Sequence, residues 1–319
     1  MSARAAGSRH LGLDLGGTNI KWAVVAHDGE AWTTLDHGDL PTPLEGTPEV
    51  VLPRLAETGA DVLRRWPGVA SVGIGVPGLY DPLTGTTRFI PNLPGRWSGA
   101  PVAASVGGVL DLPCAIVNDA RAFGIAELRL GAGRGSATMV GITIGTGVGG
   151  VVAIDGRVHL GHDGTAGELG HQTIEPDGPW CTCGSRGCLE TFVRAEQIAA
   201  ACGAGTVEEA VARARGGDPR ALDGMRDIGR YLGLGLGNLV SVLTPDRIVI
   251  GGGVAAAADL FVDHIHAELR RRIHTTSLDQ LEIVTAELGI WAGAIGAAVH
   301  GADTSAAPAA VSTERASVG

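Results

Sequence analysis

The chain of 319 residues is 45% hydrophobic and carries a formal net charge of -10. This length allows two domains of ordinary size with buried cores, and the acidic balance argues against a nucleic-acid surface. The N-terminus shows no signal-peptide pattern, and no apolar run reaches the roughly 20 residues of a membrane helix. We therefore expect a cytoplasmic protein with neither nucleic acid nor membrane as a partner.

The first part of the chain alternates strands and helices. Residues 10–40 predict three strands joined by a Gly-Gly turn and an Asp28-Gly29 turn. Thr47 as N-cap and Pro48 at the first helical position begin a helix that ends near Trp66. The pattern then predicts a strand over 69–76, a short helix from Pro101, a strand over 113–119 and a helix from Ala120 to Leu130.

A second cycle begins at Thr138, where residues 138–160 again predict three strands around a Gly-rich turn and an Asp-Gly turn. The likeness to the N-terminal segment suggests an internal duplication. Further helices are predicted over 194–203, 206–216, 219–243, 256–273 and 291–301, with strands over 246–253 and 281–289. Residues 303–319 are small and polar, and we expect them to be disordered.

Three of the five cysteines fall within eight positions, which predicts a metal loop over 171–188. Cys181, Cys183 and Cys188 are its thiolate ligands, and His171 is the near candidate for the fourth position of a tetrahedral zinc, with His162 as the alternative. A disulfide with a spare thiol is the other interpretation, which a cytosolic chain disfavours. The loop would also fix Glu168 and Glu190, whose carboxylates suit the hydroxyls of a polyol.

Glycine turns after two strands predict phosphate loops. In the first turn, Gly16, Gly17 and Thr18 can direct N–H groups at an anion, while Asp14 and Thr18 offer oxygens to Mg²⁺. Lys21, the only lysine, could reach the phosphate or be there by chance. The matching turn of the second cycle contains Gly145, Thr146 and Gly147, and the pair is more specific than either turn alone.

Two other glycine patterns fit the dinucleotide fingerprint, at 73–78 and 145–150. That fingerprint must open a helix, and neither pattern is followed by one. An NAD-dependent enzyme is therefore disfavoured.

The string G-E-L-G-H at 167–171, followed by C-x-C-G-x-x-G-C-L-E at 181–190, resembles the signature of ROK-family sugar kinases and their sugar-sensing repressor relatives. The resemblance covers about residues 10–302. It implies ATP as phosphate donor, and Gly251, Gly252 and Gly253 as the loop on the adenosine side. It also implies a homodimer or homotetramer.

The sugar side follows from the same resemblance. Asn118 and Asp119 match the family motif in which the Asp is general base and the Asn binds sugar, although on sequence alone Asp119 could simply cap a helix. Asn92 lies in another sugar-site segment, and His171 would serve both zinc and sugar. One departure is Arg121, where family glucokinases usually have Asn.

The predicted fold is an actin-like, two-lobed α/β fold of the duplicated ribonuclease H type. The smaller lobe would contain residues 1–119 and 290–302, and the larger lobe residues 120–289. The predicted activity is ATP- and Mg²⁺-dependent phosphorylation of the primary hydroxyl of a hexose, glucose first. Other hexoses, hexosamines or cyclitols remain alternatives. A sugar-sensing repressor without a DNA-binding module is a further alternative, which is disfavoured because that class carries an added N-terminal DNA-binding module and only nine residues precede the first predicted strand here.

Overall fold

In the computed structural model, residues 7–91 and 93–306 are described, and over them the chain forms twelve strands and nine α-helices. The strands are β1 (Ser8–Leu15), β2 (Asn19–His27), β3 (Trp32–Pro41), β4 (Val69–Val76), β5 (Leu79–Asp81), β6 (Thr86–Phe89), β7 (Cys114–Asn118), β8 (Thr138–Ile144), β9 (Val148–Ile154), β10 (Arg157–Val158), β11 (Arg247–Gly251) and β12 (Glu282–Thr285). The helices are α1 (Pro48–Arg65), α2 (Val102–Leu110), α3 (Asp119–Arg129), α4 (Glu190–Val193), α5 (Ala195–Ala201), α6 (Val207–Arg215), α7 (Pro219–Leu243), α8 (Val262–Arg272) and α9 (Ala292–Ala306).

Two five-stranded mixed sheets share one topology. The first has the strand order β3-β2-β1-β4-β7 and the second β10-β9-β8-β11-β12. In each sheet, an antiparallel three-stranded meander is extended by two strands in parallel. The duplication predicted from the two glycine-rich hairpins is therefore present in the strand order of both sheets.

Helices α3 and α9 lie between the two sheets. Their buried side chains form one core with residues from β2 and β7 of the first sheet and from β8, β9 and β11 of the second. A second core lies between the first sheet and helices α1 and α2. The third and largest packs the second sheet against α5, α6, α7 and α8. The chain passes from the first sheet to the second through α3 and returns through α9.

Small residues allow α9 to lie directly on the first sheet. A Cβ atom added to Gly12 of β1 would lie 1.8 Å from the carbonyl oxygen of Ala294, and one added to Gly73 of β4 would lie 1.7 Å from that of Ala297. Neither position can therefore hold a larger residue without moving the helix. This close packing places the N-terminus of α9 beside the carboxyl ends of β1 and β4.

The helix predicted over 256–273 is interrupted. Residues Ala255–Leu260 form a 3₁₀ helix, and α8 begins only at Val262. Phe261 breaks the helical path at φ -134°, and its side chain is among the largest that are fully buried. Burial of this ring in the core overrides the local helix propensity of the alanine run.

At the C-terminus, α9 continues to Ala306, past the predicted start of the disordered tail. The rest of that tail lies outside the described residues. Among the described helices, none has the length and apolar character needed to cross a bilayer.

Candidate active site

Asn118 and Asp119 lie at the junction of β7 and α3. The N-cap is Asn118, whose Oδ1 accepts hydrogen bonds from the backbone N–H groups of Ala120 at 3.0 Å and Arg121 at 3.2 Å. Its Nδ2 donates to the carbonyl oxygen of Gly78 at 3.0 Å. The helix begins at Asp119, one residue earlier than predicted. Because Asn118 supplies the cap, the Asp119 carboxylate is available for other contacts, although one of its oxygens also accepts from the Ala120 N–H at 2.8 Å.

The Asp119 side chain is open to solvent on one side, yet protein crowds it on the others. This desolvation raises the pKa of its carboxyl, and the nearby negative charge of Glu168 adds to the effect. The N–H of Ala120 and the guanidinium of Arg121 oppose it. A carboxylate with a raised pKa is a stronger proton acceptor, as a general base requires.

Asp14 is the last residue but one of β1 and lies near Asp119. It pairs with Lys21 across the β1–β2 hairpin and with Gly75 of β4 on its other side. Burial and the negative charge of Asp119 raise the pKa of Asp14 to about 7, and Lys21 partly offsets them. The two carboxylates are therefore close enough to repel, and a cation between them would relieve that repulsion.

A glycine of the last helix completes the Asp14 environment. A Cβ atom on Gly293 would lie 2.4 Å from Oδ2 of Asp14, so only glycine fits beside that oxygen. The sequence gives no local sign of this contact, because Gly293 is one of several glycines in a helix whose partner strand lies some 280 positions earlier. Sequence reasoning therefore missed it.

The predicted glycine turns lie at strand ends that face this site. In the first turn, the N–H of Gly16 donates to the carbonyl of Asn19 at 3.0 Å, and the Thr42 hydroxyl donates to the Gly16 carbonyl at 2.7 Å. The second turn is closed by a bond from the Gly145 N–H to the Gly147 carbonyl at 2.9 Å. The predicted loop at 251–253 lies against the strand end that precedes the second turn, since a Cβ on Gly252 would be 2.4 Å from the carbonyl oxygen of Ile144.

Glu190 joins the second turn to the cysteine loop. Its Oε2 accepts a hydrogen bond from the Val148 N–H at 2.8 Å, and a Cβ on Gly147 would lie 2.8 Å from the same oxygen. The residue was predicted as a sugar ligand only. The Oε2 atom of Glu190 thus connects the two loops.

Glu168 lies across from Asp119 and pairs with Arg121. The Nη2 atom of Arg121 is 2.8 Å from Oε1 of Glu168, with the Arg121 side chain only 2% exposed. The Glu168 side chain keeps 38% exposure, so it borders open space. Arg121 is therefore buried beneath Glu168.

The cysteine loop brings together the four predicted ligands. One potential ligand atom from each of His171, Cys181, Cys183 and Cys188 lies within 4.8 Å of all the others. Cys183 Sγ and Cys188 Sγ are 3.7 Å apart, and Cys181 Sγ is 3.6 Å from Nδ1 of His171. A tetrahedral metal with bonds of about 2.3 Å to sulfur places its sulfurs about 3.8 Å apart, whereas a disulfide requires about 2.05 Å.

The cysteines are free thiols, and His162 is not in the cluster. The disulfide interpretation and the alternative histidine are both wrong. Because Nδ1 of His171 faces the thiols, its Nε2 is left for a second partner. Asn92, the remaining predicted sugar ligand, lies outside the described residues.

Comparison with known proteins agrees with this arrangement. The sequence model of the ROK family matches residues 10–302. The chain belongs to the ROK family. A glucokinase from Streptomyces coelicolor is 33% identical to this ROK protein over 312 residues, which cover 90% of this chain and 96% of that one.

Two solved ROK structures share the fold. A ROK hexokinase from Thermus thermophilus superposes with a TM-score of 0.82 at 34% identity, covering 93% of this chain and 99% of that one. A ROK glucokinase from Streptomyces griseus, solved in complex with glucose and AMPPNP, has a TM-score of 0.78 at 31% identity and covers 93% of this chain and 100% of that one. The predicted actin-like α/β fold is confirmed.

Proposed function

We propose that this ROK protein is an ATP-dependent hexose kinase that phosphorylates the primary hydroxyl of its substrate, with glucose as the first candidate. The observation that carries the proposal is the Asp119 carboxylate. Asn118 rather than Asp119 caps α3. The pKa of the Asp119 carboxyl is raised, and this carboxyl lies near Glu168 and Asp14. The similarity to enzymes named glucokinase and hexokinase supports the same assignment.

In the proposed reaction, Asp119 accepts the proton of the sugar hydroxyl as that oxygen attacks the terminal phosphate of ATP. The glycine turns at 16–18 and 145–147 and the loop at 251–253 hold the nucleotide through backbone N–H groups. Glu168 and the free oxygen of Glu190 accept hydrogen bonds from sugar hydroxyls, and the Nε2–H of His171 donates one to a sugar oxygen. One N–H of the Asn118 amide donates to the Gly78 carbonyl, and the amide oxygen already accepts three hydrogen bonds within the protein. The second N–H of Asn118 is therefore the one left for the sugar.

Asp14 fits a Mg²⁺ site. Its carboxylate is half-buried, close to a second carboxylate and just before a glycine turn, so an oxygen-preferring cation would be stabilised there. When bound, Mg²⁺ would neutralise charge on the phosphates. Lys21, paired with Asp14 across the hairpin, is positioned to add a second positive charge.

The cysteine loop fits zinc, because three thiolates and one imidazole at tetrahedral spacing form a closed site with four protein ligands. We assign it a structural role, in which the metal holds the segment carrying Glu168, His171 and Glu190. We also retain assembly as a homodimer or homotetramer and a cytoplasmic location as predictions. A sugar-sensing repressor is the second candidate, and the carboxylate base at Asp119 favours the kinase over it.

The test is a sugar panel assayed with ATP and with polyphosphate, run on wild-type protein and on Asp119→Asn. Wild type should phosphorylate a hexose at its primary hydroxyl. Asn keeps the size of the side chain but cannot accept the proton, so turnover should fall at least about 10²-fold while calorimetric sugar affinity changes much less.

Because Asn118 holds the cap, the melting temperature of Asp119→Asn should stay near that of wild type. Near-normal turnover of the variant would contradict the role of Asp119 as base. Wild-type protein that binds sugar but transfers no phosphate from either donor would favour the repressor.

A further inference from the structure

Arg121 is buried in the first turn of α3, and its side chain makes three hydrogen bonds and one ion pair. Its Nη1 donates to Oδ1 of Asn118 at 2.8 Å, its Nε to the carbonyl oxygen of Ala166 at 3.0 Å, and its Nη2 to that of Thr165 at 2.8 Å. The same Nη2 is 2.8 Å from Oε1 of Glu168. The Arg121 side chain thus connects the start of α3 to three residues of the segment 165–168.

We propose that Arg121 is a positioning residue that holds Glu168 and the segment 165–168 in the geometry needed to bind the sugar. A buried guanidinium with so many fixed partners has a single conformation. The planar guanidinium of Arg121 therefore holds the Glu168 carboxylate by its Oε1 atom. Glu168 is then left with one oxygen, Oε2, as the acceptor for a sugar hydroxyl. The proposal rests on the proposed function, since it takes Glu168 as a sugar ligand.

The surroundings explain why this must be arginine. Among the side chains of the described residues that contact the segment, Arg121 alone reaches Thr165, Ala166 and Glu168 together. Asparagine at this position would be too short to span from α3 to those carbonyls. A protein with Asn here would need a different arrangement of the segment.

The experiment compares Arg121→Gln, Arg121→Lys and wild type for the KM of the hexose, the KM of ATP, kcat and calorimetric sugar affinity. Loss of the Arg121 contacts should displace Glu168, and a displacement near 1 Å can lower the rate of an enzyme about 10²-fold. We expect the sugar KM of Arg121→Gln to rise at least about tenfold with the ATP KM within about twofold. Lysine keeps the charge but can replace only some of the hydrogen bonds of the guanidinium, so the rise in sugar KM of Arg121→Lys should be intermediate.

Two further measurements separate positioning from general destabilisation. Arg129→Gln is the matched control, because Arg129 lies on the same helix, is 40% exposed and pairs only weakly with Asp303 at 3.6 Å; its kinetics should equal those of wild type. In a cycle with Glu168→Gln, the double variant should lose little more sugar affinity than Glu168→Gln alone, since Arg121 acts through that residue.

Unchanged sugar KM in a folded Arg121→Gln protein would overturn the inference, as would fully additive losses in the cycle. Equal rises of both KM values, or failure of both Arg121 variants to fold, would show a purely structural arginine and would also overturn it. Wild-type protein that binds no hexose would instead refute the proposed function, whatever the variants do.

Discussion

Asp14 shows how a site residue can oppose the stability of its own fold. Its carboxyl is held between Gly75 and Gly293, too close to Asp119 for both to ionise freely, and its pKa is raised from 3.8 to about 7. The folded chain therefore keeps a proton that the unfolded chain has already released between about pH 4 and pH 7. Over that window, without metal or nucleotide, Asp14 makes the free energy of unfolding fall as the pH rises.

The variant Asp14→Asn tests this account. Asn cannot ionise, so the part of the stability loss that comes from residue 14 between pH 4 and pH 7 should disappear, and the melting temperature at pH 7.5 should exceed that of wild type. Binding of Mg²⁺ and ATP should be lost at the same time, while sugar affinity stays nearly intact. Thermal unfolding across this pH range, with calorimetry of each ligand, measures all three.

Asp163→Asn is a suitable control, because Asp163 is an exposed carboxylate whose pKa is lowered by hydrogen bonds from Thr165. Removing it should not raise the melting temperature at pH 7.5. An Asp14→Asn protein no more stable than wild type at that pH would show that the Asp14 carboxyl is not strained by its surroundings.

At the scale of elements, the cysteine loop determines where three proposed sugar ligands lie: Glu168, His171 and Glu190. Short antiparallel bridges, Thr173 with Cys188 and Trp180 with Arg186, fold the segment back on itself. Just beyond it, the N–H of Ala195 donates to the carbonyl of Gly145 at 2.8 Å, in addition to the contact of Glu190 with Val148. The loop therefore contacts both the proposed sugar side and the proposed nucleotide side of the site.

Metal removal should consequently affect binding before folding. We expect one zinc per chain, and after chelation the sugar affinity should fall at least about tenfold while the cooperative unfolding transition remains. Metal analysis and calorimetry before and after chelation measure this. The double variant Cys183→Ser/Cys188→Ser should lack zinc, whereas Cys114→Ser, outside the loop, should retain it. Zinc present in the double variant would refute the ligand assignment.

At the scale of the whole molecule, the sequence predicted the elements and their duplication well because hydrophobic periodicity and turn residues are local signals. Both meanders and the ligands of the cysteine loop are of this kind. Contacts between distant segments carried no such signal. The burial of Arg121 under Glu168, the approach of Gly293 to Asp14 and the core position of Phe261 each depend on partners brought together only by the fold.

The two sheets are joined by α3 and α9, and the site residues are divided between them. Asp14 and the turn 16–18 belong to the first sheet, whereas the turn 145–147, the loop 251–253 and Glu190 belong to the second sheet and its loops. Transfer of phosphate to a sugar rather than to water requires that water be excluded. We therefore expect the two halves to close around the ligands by rotation at the connecting helices.

Small-angle scattering tests this closure. With saturating hexose and a non-hydrolysable ATP analogue together, the radius of gyration should fall below that of the free protein. Asp14→Asn is the internal control: it should respond to hexose as wild type does but show no further compaction with the nucleotide, because the charge that anchors Mg²⁺ is missing. Consumption of ATP should correspondingly be slow without sugar, and with sugar it should yield hexose phosphate rather than inorganic phosphate. If wild type showed the same scattering profile with and without both ligands, the site would be rigid, and exclusion of water would have to come from loop movements too small to change the overall dimensions.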